Sequence, residues 1–544
     1  MAHLQFEISG NIVDIFNQRT FPGRIAVENG RIVAIDETSH AVEQTILPGL
    51  IDAHIHIESS MLVPTEFARL ALAHGTLAAV CDPHEIANVL GVAGVEFMLK
   101  NAARSPFKFH FGAPSCVPAT PFETAGATIT AADIERLFSR RQLKFLSEMM
   151  NVPGVLLDLP EVTAKLALAR KYGRLVDGHA PGLQGSAAGK YIAAGITTDH
   201  ECVTLPEARE KITRGMKIQI REGSAARNFD DLYPLIDEYP GMCMLCSDDK
   251  HPDDLVRGHI NELVRRGLAA GLNPYNLLRA ACLAPVEHYD LEVGLLRVGD
   301  PADFIVVDDL AQFNVIRTYI DGILVAENGC SALPAVAVES LNKFNCQRKQ
   351  ITDFAVPAAG NKIRTIDVIP GQLITGSALV EPWISDGNVV ADPGRDILKL
   401  TVVNRYANAR PALGFVRNFG LKTGAIASSV AHDSHNIVAL GASDEELCRV
   451  VNLVIEQRGG IAAVGGMEEV IMPLPVAGIM SDRDGQTVAG LYSALDRFAK
   501  GLGSSLPAPF MSLSFLALLV IPELKLSDQG LFDGINFKFT SVFG

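Results

Sequence analysis

A pair of histidines in one apolar segment constrains this chain most. Residues 48–61 read Pro-Gly-Leu-Ile-Asp-Ala-His-Ile-His-Ile-Glu-Ser-Ser-Met. Because successive side chains of a strand point to opposite faces, His54 and His56 project from the same face. The leucine and isoleucines between and around them indicate a strand buried on both faces, as in a parallel sheet covered by helices. The two imidazoles are either ligands of one metal ion or ordinary buried histidines, and their spacing alone does not decide between these.

The length and composition limit the classes of protein to consider. A chain of 544 residues predicts two to four domains, and 48% apolar with 20% charged residues is typical of a well-folded soluble protein. A net charge of -15 without a basic stripe disfavours nucleic acid as a partner. Residues 1–10 lack the features of a signal peptide, and the most apolar late stretch, 510–521, is too short to span a bilayer. We predict a cytoplasmic protein that has no membrane partner.

Two β-rich segments flank a long central region. Residues 3–47 alternate as short strands with a hairpin signal at Asn29-Gly30, and residues 303–325 have the same character, with Asp321-Gly322 at a turn. We predict that both segments pair into one small β-sandwich domain, made of residues 1–48 plus 291–345.

The region after residue 345 changes character. Strand-like runs precede two amphipathic stretches that predict helices over about 444–458 and 487–500, and Ser443 with Glu446 forms a capping box for the first of them. We predict a separate C-terminal α+β domain over residues 346–544.

The central region, residues 49–290, alternates short apolar runs with longer amphipathic stretches, which is the pattern of βα units. The predicted strands are residues 51–57, 76–81, 107–111, 143–149, 173–176, 195–199, 217–220 and 242–247. Eight such strands predict an α/β fold class, a TIM-like (β/α)8 barrel of the metal-dependent hydrolase kind. In that barrel the catalytic groups lie at the C-terminal ends of the strands.

Four further candidate ligands fall at predicted strand ends: Glu148, His179, His200 and Asp248. Each alone is explained as a helix cap or a core residue, but their joint occurrence at strand ends favours a metal centre. With His54 and His56 they supply four imidazoles and two carboxylates, enough for two divalent ions that share Glu148. A donor set without thiolate suits Mn, Fe or Zn and does not choose among them.

Lys144 competes with Glu148 for the bridging position, because a carbamylated lysine also joins two metal ions. It has the same strand parity as Glu148 but lies four residues earlier, near the opposite end of the strand. Glu148 is therefore the favoured bridge.

Two other pairs of residues are candidates at the catalytic face. His84 and Glu85 follow the second strand, and Pro83 disfavours helix at Asp82, so we predict a loop at the catalytic face. These two residues either bind the metal or serve acid–base chemistry, or they have a capping role. His432 and His435 lie in a polar segment that either closes over the barrel or forms a solvated turn, and a lone H-x-x-H is more typical of the turn.

The glycines of residues 414–423 have the wrong spacing for a phosphate-binding loop, so no nucleotide cofactor is predicted.

Several segments resemble a known family. Residues 48–56 resemble the first-strand signature of the amidohydrolase superfamily, and residues 294–303 resemble the segment that returns to its small β domain. Residues 58–64, the Asp-Pro-His-Glu-Ile-Ala-Asn segment of residues 82–88 and the long C-terminal domain are similar to the bacterial adenine deaminase family. The resemblance covers essentially the whole chain.

This resemblance implies a site and a reaction. Its two metal ions, Mn or Fe most often and Zn in related sites, are held by His54, His56, Glu148, His179, His200 and Asp248. It implies purine salvage through conversion of adenine to hypoxanthine and ammonia, by attack of a metal-bridging hydroxide on C6. Within that reaction we assign Asp248 to proton transfer from the hydroxide to the leaving amine, and His84 or Glu85 to a ring nitrogen. A homo-oligomer, a dimer, is also predicted.

Two alternatives remain open at this point. A cyclic-amide hydrolase of the dihydroorotase, hydantoinase or allantoinase kind shares the barrel and the metals, but it commonly depends on a carbamylated lysine, and Glu148 argues against it. A metal-free assembly protein on the same barrel is not an enzyme at all. The presence of all six ligand types argues against that second alternative.

Overall fold

The computed structural model describes residues 5–39, 43–140 and 143–544. Residues 3 and 4 of the predicted amino-terminal β segment, and residues 40–42, lie outside the described residues. Among the described residues, no helix is long and apolar enough to cross a membrane.

Four strands open the chain, and the first three form a meander of antiparallel neighbours. These strands are β1 (Gln5–Asp14), β2 (Arg19–Glu28), β3 (Arg31–Glu37) and β4 (Thr45–Pro48). The predicted hairpin at Asn29-Gly30 is confirmed, since Glu28 pairs with Arg31 across it. Both turn residues have positive φ, which the asparagine tolerates and the glycine adopts without steric cost.

Eight parallel strands follow, and each predicted strand of the central region overlaps one of them. They are β5 (Leu50–Ile55), β6 (Thr76–Cys81), β7 (Lys108–Ala113), β8 (Phe145–Met149), β9 (Leu175–Gly178), β10 (Thr198–Asp199), β11 (Lys217–Arg221) and β12 (Cys243–Cys246). Strands β5 to β9 form one sheet in chain order and β10 to β12 form a second. Parallel bridges join Val176 to Ile196 and Ile55 to Asp248, so the two sheets meet at both edges. This parallel arrangement is TIM-like and gathers the C-terminal strand ends on one face.

Helices connect these strands, and several have proline in the first turn, where its missing N–H costs nothing. The helices are α1 (Pro64–Ala73), α2 (His84–Leu90), α3 (Val92–Ala102), α4 (Ala131–Ser139), α5 (Val152–Leu156), α6 (Pro160–Lys171), α7 (Gly185–Ala193), α8 (Leu205–Thr213), α9 (Phe229–Leu232), α10 (Leu235–Glu238), α11 (Pro252–Arg257), α12 (Ile260–Ala269), α13 (Pro274–Leu278) and α14 (Ala284–Tyr289).

The loop predicted for His84 and Glu85 is wrong, because helix α2 begins at His84. Proline disfavours helix only in the residue before it, which is Asp82, and Pro83 itself precedes the first helical residue. The Asp82 side chain then accepts a hydrogen bond from the His84 backbone N–H at 3.1 Å. Both side chains therefore project from the rigid first turn of a helix.

The chain returns to the amino-terminal strands after the barrel. The returning strands are β13 (Phe304–Val307), β14 (Val315–Ile320), β15 (Ile323–Glu327) and β16 (Cys330–Ser331). Strand β13 pairs antiparallel with β4, which gives one eight-stranded sheet built from both flanks of the barrel. The predicted turn at Asp321-Gly322 is confirmed, since Ile320 pairs with Ile323.

The C-terminal region contains an eight-stranded sheet, in the order β19-β18-β23-β22-β25-β24-β26-β27, and two three-stranded sheets. Its strands are β17 (Val356–Pro357), β18 (Ile363–Val368), β19 (Thr375–Val380), β20 (Trp383–Ser385), β21 (Asn388–Val390), β22 (Ile397–Val403), β23 (Ala412–Arg417), β24 (Ala425–Ser428), β25 (Ile437–Gly441), β26 (Gly460–Gly465), β27 (Glu468–Pro473), β28 (Leu524–Ser527), β29 (Gly530–Asp533) and β30 (Lys538–Phe539).

Three helices accompany these sheets: α15 (Asp444–Glu456), α16 (Gly485–Gly501) and α17 (Pro509–Phe515). The Ser443 side chain accepts a hydrogen bond from the Glu446 backbone N–H, which confirms the predicted helix start. Helix α16 begins two residues before the predicted position because Asp484 caps it through the Thr487 backbone N–H.

Candidate metal and substrate site

The six predicted ligands converge at the C-terminal ends of the parallel strands. His54 and His56 lie at the end of β5 and Glu148 lies in β8, while the other three follow β9, β10 and β12 directly or within two residues. Five of the six are buried almost completely, and the His179 side chain is 12% exposed. Strand geometry thus brings together residues that are up to 194 positions apart.

Glu148 lies at the centre of the cluster. Its Oε1 atom is 3.3 Å from His56 Nε2, and its Oε2 atom is 3.0 Å from His179 Nδ1 and 3.2 Å from His200 Nε2. Two ligands that each bind one ion at about 2.0–2.2 Å lie roughly 3 Å apart, so these separations fit ligand pairs around a metal. Because its two oxygens face different histidines, the Glu148 carboxylate has the geometry of a bridge.

The histidines supply a second observation in favour of a metal. The His54 and His200 rings stack at 4.2 Å, and His54 Nε2 lies 3.7 Å from Asp248 Oδ1. Both ring nitrogens of His54 and Nδ1 of His200 are buried without a hydrogen-bond partner among the described residues. An orphaned buried nitrogen is unfavourable, and a bound cation would supply the missing partner. Burial also lowers the pKa of His54, which favours the neutral form that binds metals.

Arg221 and Glu201 belong to the site, and the sequence reasoning missed both. Arg221 Nη1 donates to Asp248 Oδ2 at 2.6 Å, and Nη2 donates to Glu201 Oε2 at 2.9 Å. Burial raises the pKa of Asp248, but Arg221 beside it holds that pKa well below its usual range. Arg221 is the last residue of β11, and the predicted seventh strand stopped one residue earlier, so a survey of every strand end would have found it.

His84 joins the cluster from helix α2. Its Nδ1 atom lies 3.1 Å from Asp82 Oδ2 and 3.4 Å from Glu148 Oε1, and its Nε2 atom lies 3.6 Å from Glu85 Oε1. The Glu85 carboxylate is buried and contacts the imidazoles of His432 and His435. Burial raises the pKa of Glu85, but these imidazoles hold it well below its usual range, so Glu85 is ionised.

The solvated turn predicted for His432 and His435 is wrong. The two residues are 3% and 1% exposed, and they lie between β24 and β25 against helix α2. Burial lowers the pKa of His432, but the carboxylates of Glu85 and Asp249 raise it to about 9. The C-terminal region therefore contributes charged side chains to the site.

Lys144 lies away from this cluster. It immediately precedes β8 at the opposite end from Glu148, its backbone N–H donates to the Phe111 carbonyl, and its side chain is half-buried. The electrostatic neighbour that it affects is His110, on β7. Its position does not suit a bridging ligand.

The cluster lines a cavity of about 30 Å³. The opposite wall is apolar and comes from the C-terminal region, with Leu373, Phe515, Leu518, Val520 and Ile521. A second cavity, of about 710 Å³, shares the apolar residues Leu373, Val520 and Ile521 with the first. It also shares the polar residues His179, Glu201 and Arg221. The larger cavity therefore reaches the ligand cluster directly, at His179, Glu201 and Arg221.

Parallel strands that carry this ligand cluster define a metal-dependent hydrolase, and the model of the amidohydrolase family matches residues 45–325. A second model, the adenine deaminase C-terminal domain, matches residues 372–538. The chain belongs to the adenine deaminase family of amidohydrolases.

Curated relatives support this assignment along the whole chain. Adenine deaminase of Methanosarcina mazei is 55% identical over 98% of this chain and 99% of its own, and that of Salinibacter ruber is 54% identical over 99% of both. Adenine deaminase of Borreliella burgdorferi is 45% identical over 98% of this chain and 99% of its own. A solved β-aspartyl dipeptidase of Fervidobacterium islandicum matches 61% of this chain and 99% of its own at 14% identity, with a TM-score of 0.47.

Proposed function

We propose that the protein is a metal-dependent aminohydrolase that converts adenine and water to hypoxanthine and ammonia, as in purine salvage. The observation that carries this proposal is the convergence of His54, His56, Glu148, His179, His200 and Asp248 in one buried cluster. The relatives named adenine deaminase, similar along the full chain, indicate the substrate.

The six residues of the cluster would hold two divalent ions, with Glu148 between them. Bound divalent ions lower the pKa of a coordinated water, which makes hydroxide available near neutral pH. The donors are imidazole and carboxylate without thiolate, which supports Mn or Fe and also permits Zn.

The side chains around the cluster would move the protons. Asp248 begins as an ionised carboxylate because Arg221 pairs with it, so it can accept the proton of the attacking water and deliver it to the leaving amine. His84 lies beside Glu148 and next to Glu85, where it can protonate a ring nitrogen as C6 becomes tetrahedral. Glu85 would keep His84, His432 and His435 oriented and compensate their charge.

A cyclic-amide hydrolase is the second candidate, because it would use the same barrel and metals. The position of Lys144 outside the cluster argues against a carbamylated-lysine bridge and therefore against this reading. A metal-free assembly protein is the third candidate. It would leave unexplained why both ring nitrogens of His54 are buried without a hydrogen-bond partner among the described residues.

The proposed domains of the protein are a barrel, a composite β domain and a C-terminal domain. We infer a closed (β/α)8 barrel over residues 49–290, a composite β-sandwich domain of residues 1–48 plus 291–345, and a C-terminal α+β domain over residues 346–544. The shared eight-stranded sheet of β1–β4 and β13–β16 supports the composite domain. A cytoplasmic homodimer remains our prediction for location and assembly.

The proposal is tested by expressing the protein with Mn or Fe, measuring bound metal, and following adenine by its absorbance together with released ammonia. We expect stoichiometric hypoxanthine and ammonia, and loss of activity after chelation. Hydantoin and dihydroorotate serve as control substrates. Ring opening of these compounds with no ammonia from adenine would contradict the proposal.

A further inference from the structure

Asp433 carries a buried carboxylate that the catalytic assignments leave unused. The residue is 3% exposed, and its Oδ2 atom has no hydrogen-bond partner among the described residues. The ion-pair contact recorded for it is His84 Nε2 at 3.7 Å from Oδ1, which is too long for a hydrogen bond. A buried carboxylate oxygen without a donor is unfavourable, so Oδ2 of Asp433 is placed to receive a donor from outside the protein.

Asp433 faces the same cavity as the metal ligands. Its side chain lines that cavity together with His84, Glu148 and Asp248. The imidazole of His84 lies between Asp433 and Glu148, with Nε2 toward Asp433 and Nδ1 3.4 Å from Glu148. Asp433 and Glu148 therefore lie on opposite sides of the imidazole ring of His84.

The remaining wall of the cavity is apolar and partly aromatic, and the cavity of about 30 Å³ adjoins the cavity of about 710 Å³, so that only the two together have room for a planar base. Phe515, Leu518 and Ile521 line that wall from the C-terminal region, and Phe515 stacks on His432 at 5.1 Å. Apolar and aromatic walls with a few directed polar groups are typical of sites for small heterocycles.

Resting on the proposed function, we propose that Asp433 accepts a hydrogen bond from the imidazole N–H of the free purine base and so selects adenine over purines substituted at N9. With C6 toward the ligand cluster, the imidazole ring of a purine would point away from it, and Asp433 offers the unpaired Oδ2 on the far side of His84. Free adenine carries an N–H on that ring, whereas a nucleoside has its sugar at N9 and cannot donate from it. A site that hydrogen-bonds an N–H discriminates strongly against analogues without it, because its own polar group is then left unpaired.

The test compares wild type with Asp433→Asn and Asp433→Ala, using adenine and 9-methyladenine as substrates. We expect Asp433→Ala to raise the KM for adenine at least about tenfold, since a hydrogen bond to a charged acceptor is lost. Asp433→Asn should give a smaller increase because its amide oxygen still accepts. The preference for adenine over 9-methyladenine should shrink in both variants, with kcat changed less than KM.

The matched control is Asp386→Asn, an exposed turn residue of the same region whose positive φ asparagine tolerates. Circular dichroism, bound metal per chain and calorimetric binding of hypoxanthine separate recognition from misfolding. Unchanged KM and unchanged hypoxanthine affinity in both Asp433 variants would overturn the proposal. Loss of one metal ion per chain at unchanged KM would also overturn it and would identify a cation site instead. An inert wild type would refute the deaminase function itself, whereas an active wild type with unaffected variants would refute only the role of Asp433.

Discussion

The carboxylate of Glu85 contacts the imidazole of His432, although the two residues are 347 positions apart in the chain. Glu85 belongs to the first turn of helix α2 in the barrel, and His432 belongs to the loop between β24 and β25. The second oxygen of Glu85 contacts His435. The C-terminal region is thereby attached to the cluster of candidate ligands by buried charged groups, so it forms part of the candidate site.

Replacing this carboxylate should impair catalysis. Glu85→Gln would remove the carboxylate that contacts His432 and weaken an acceptor beside His84, and we expect kcat to fall by about 10² or more. Steady-state kinetics with adenine measure this, together with the melting temperature. The control Glu96→Gln changes an exposed glutamate of helix α3 and should leave kcat unaltered. An unchanged kcat in Glu85→Gln would show that the contact is only structural.

Lys144 should be dispensable. Lys144→Met is expected to retain full metal content and activity, because the side chain lies at the opposite end of β8 from Glu148. Glu148→Gln should lose metal and activity together. Elemental analysis and the ammonia assay measure both properties. Loss of metal in Lys144→Met, with rescue by bicarbonate, would instead identify a carbamylated lysine.

His54 should be required for metal binding. His54→Ala removes an imidazole whose nitrogens have no protein partner among the described residues, so we expect metal content and activity to fall in parallel. His288→Ala is the control, since His288 contacts Thr197 outside the cluster. Normal activity at normal metal content in His54→Ala would refute the assignment of this residue.

Asp248 should matter more for turnover than for metal content. Asp248→Asn keeps an oxygen ligand but cannot accept a proton, so we expect kcat to fall by about 10²–10⁴ while much of the metal stays bound. Parallel measurements of kcat and bound metal test this. A variant that is as active as wild type would exclude Asp248 from proton transfer.

A buried lysine should make stability depend on pH. Burial lowers the pKa of Lys525 to about 7, and its ammonium group donates to the Leu373 carbonyl at 2.8 Å. Between about pH 7 and the ordinary lysine pKa near 10.4, the unfolded chain binds more protons than the folded protein. The free energy of unfolding therefore rises with pH across this range. It falls again as the pH is lowered to 7, because Lys525 then takes up a proton in the unfolded chain before it does so in the folded protein.

Lys525→Met should remove this pH dependence and raise the melting temperature at pH 7, with a gain on the order of 2–4 kcal/mol in free energy of unfolding. Denaturant unfolding between pH 7 and 10 measures it. Lys538→Met, an exposed lysine of the same three-stranded sheet, is the matched control. Equal slopes of stability against pH in wild type and Lys525→Met would contradict the expectation.

The sequence alone predicts much of the catalytic face, because strand parity and the βα pattern are local properties. His54 and His56 share a face by backbone geometry, and parallel strands place their C-terminal ends together. The positions of all eight strands could be read from apolar runs bounded by helical stretches, although their ends shift by up to three residues. These signals depend only on neighbouring residues along the chain.

Contacts between residues that are far apart in the chain could not be predicted from local sequence patterns. The H-x-x-H of residues 432–435 has the local character of a turn, and only the packing of the C-terminal region against helix α2 buries it on Glu85. Arg221 could have been found as the last residue of β11, but its ion pairs could not, since Glu201 and Asp248 converge on it from the ends of two other strands. The sequence did not predict the helix that begins at His84. Pro83 disfavours helical backbone at Asp82, which precedes it, but a proline is compatible with the start of a helix.

The sequence by itself therefore predicted the candidate ligands, the parallel strands and the family, because periodicity and motif spacing indicate them directly. Only the tertiary structure decided what surrounds the ligands: the ionised Glu85, the buried His432 and the unpaired Asp433. The physical reason is that burial and charge compensation depend on groups hundreds of residues apart, whose meeting no local pattern encodes.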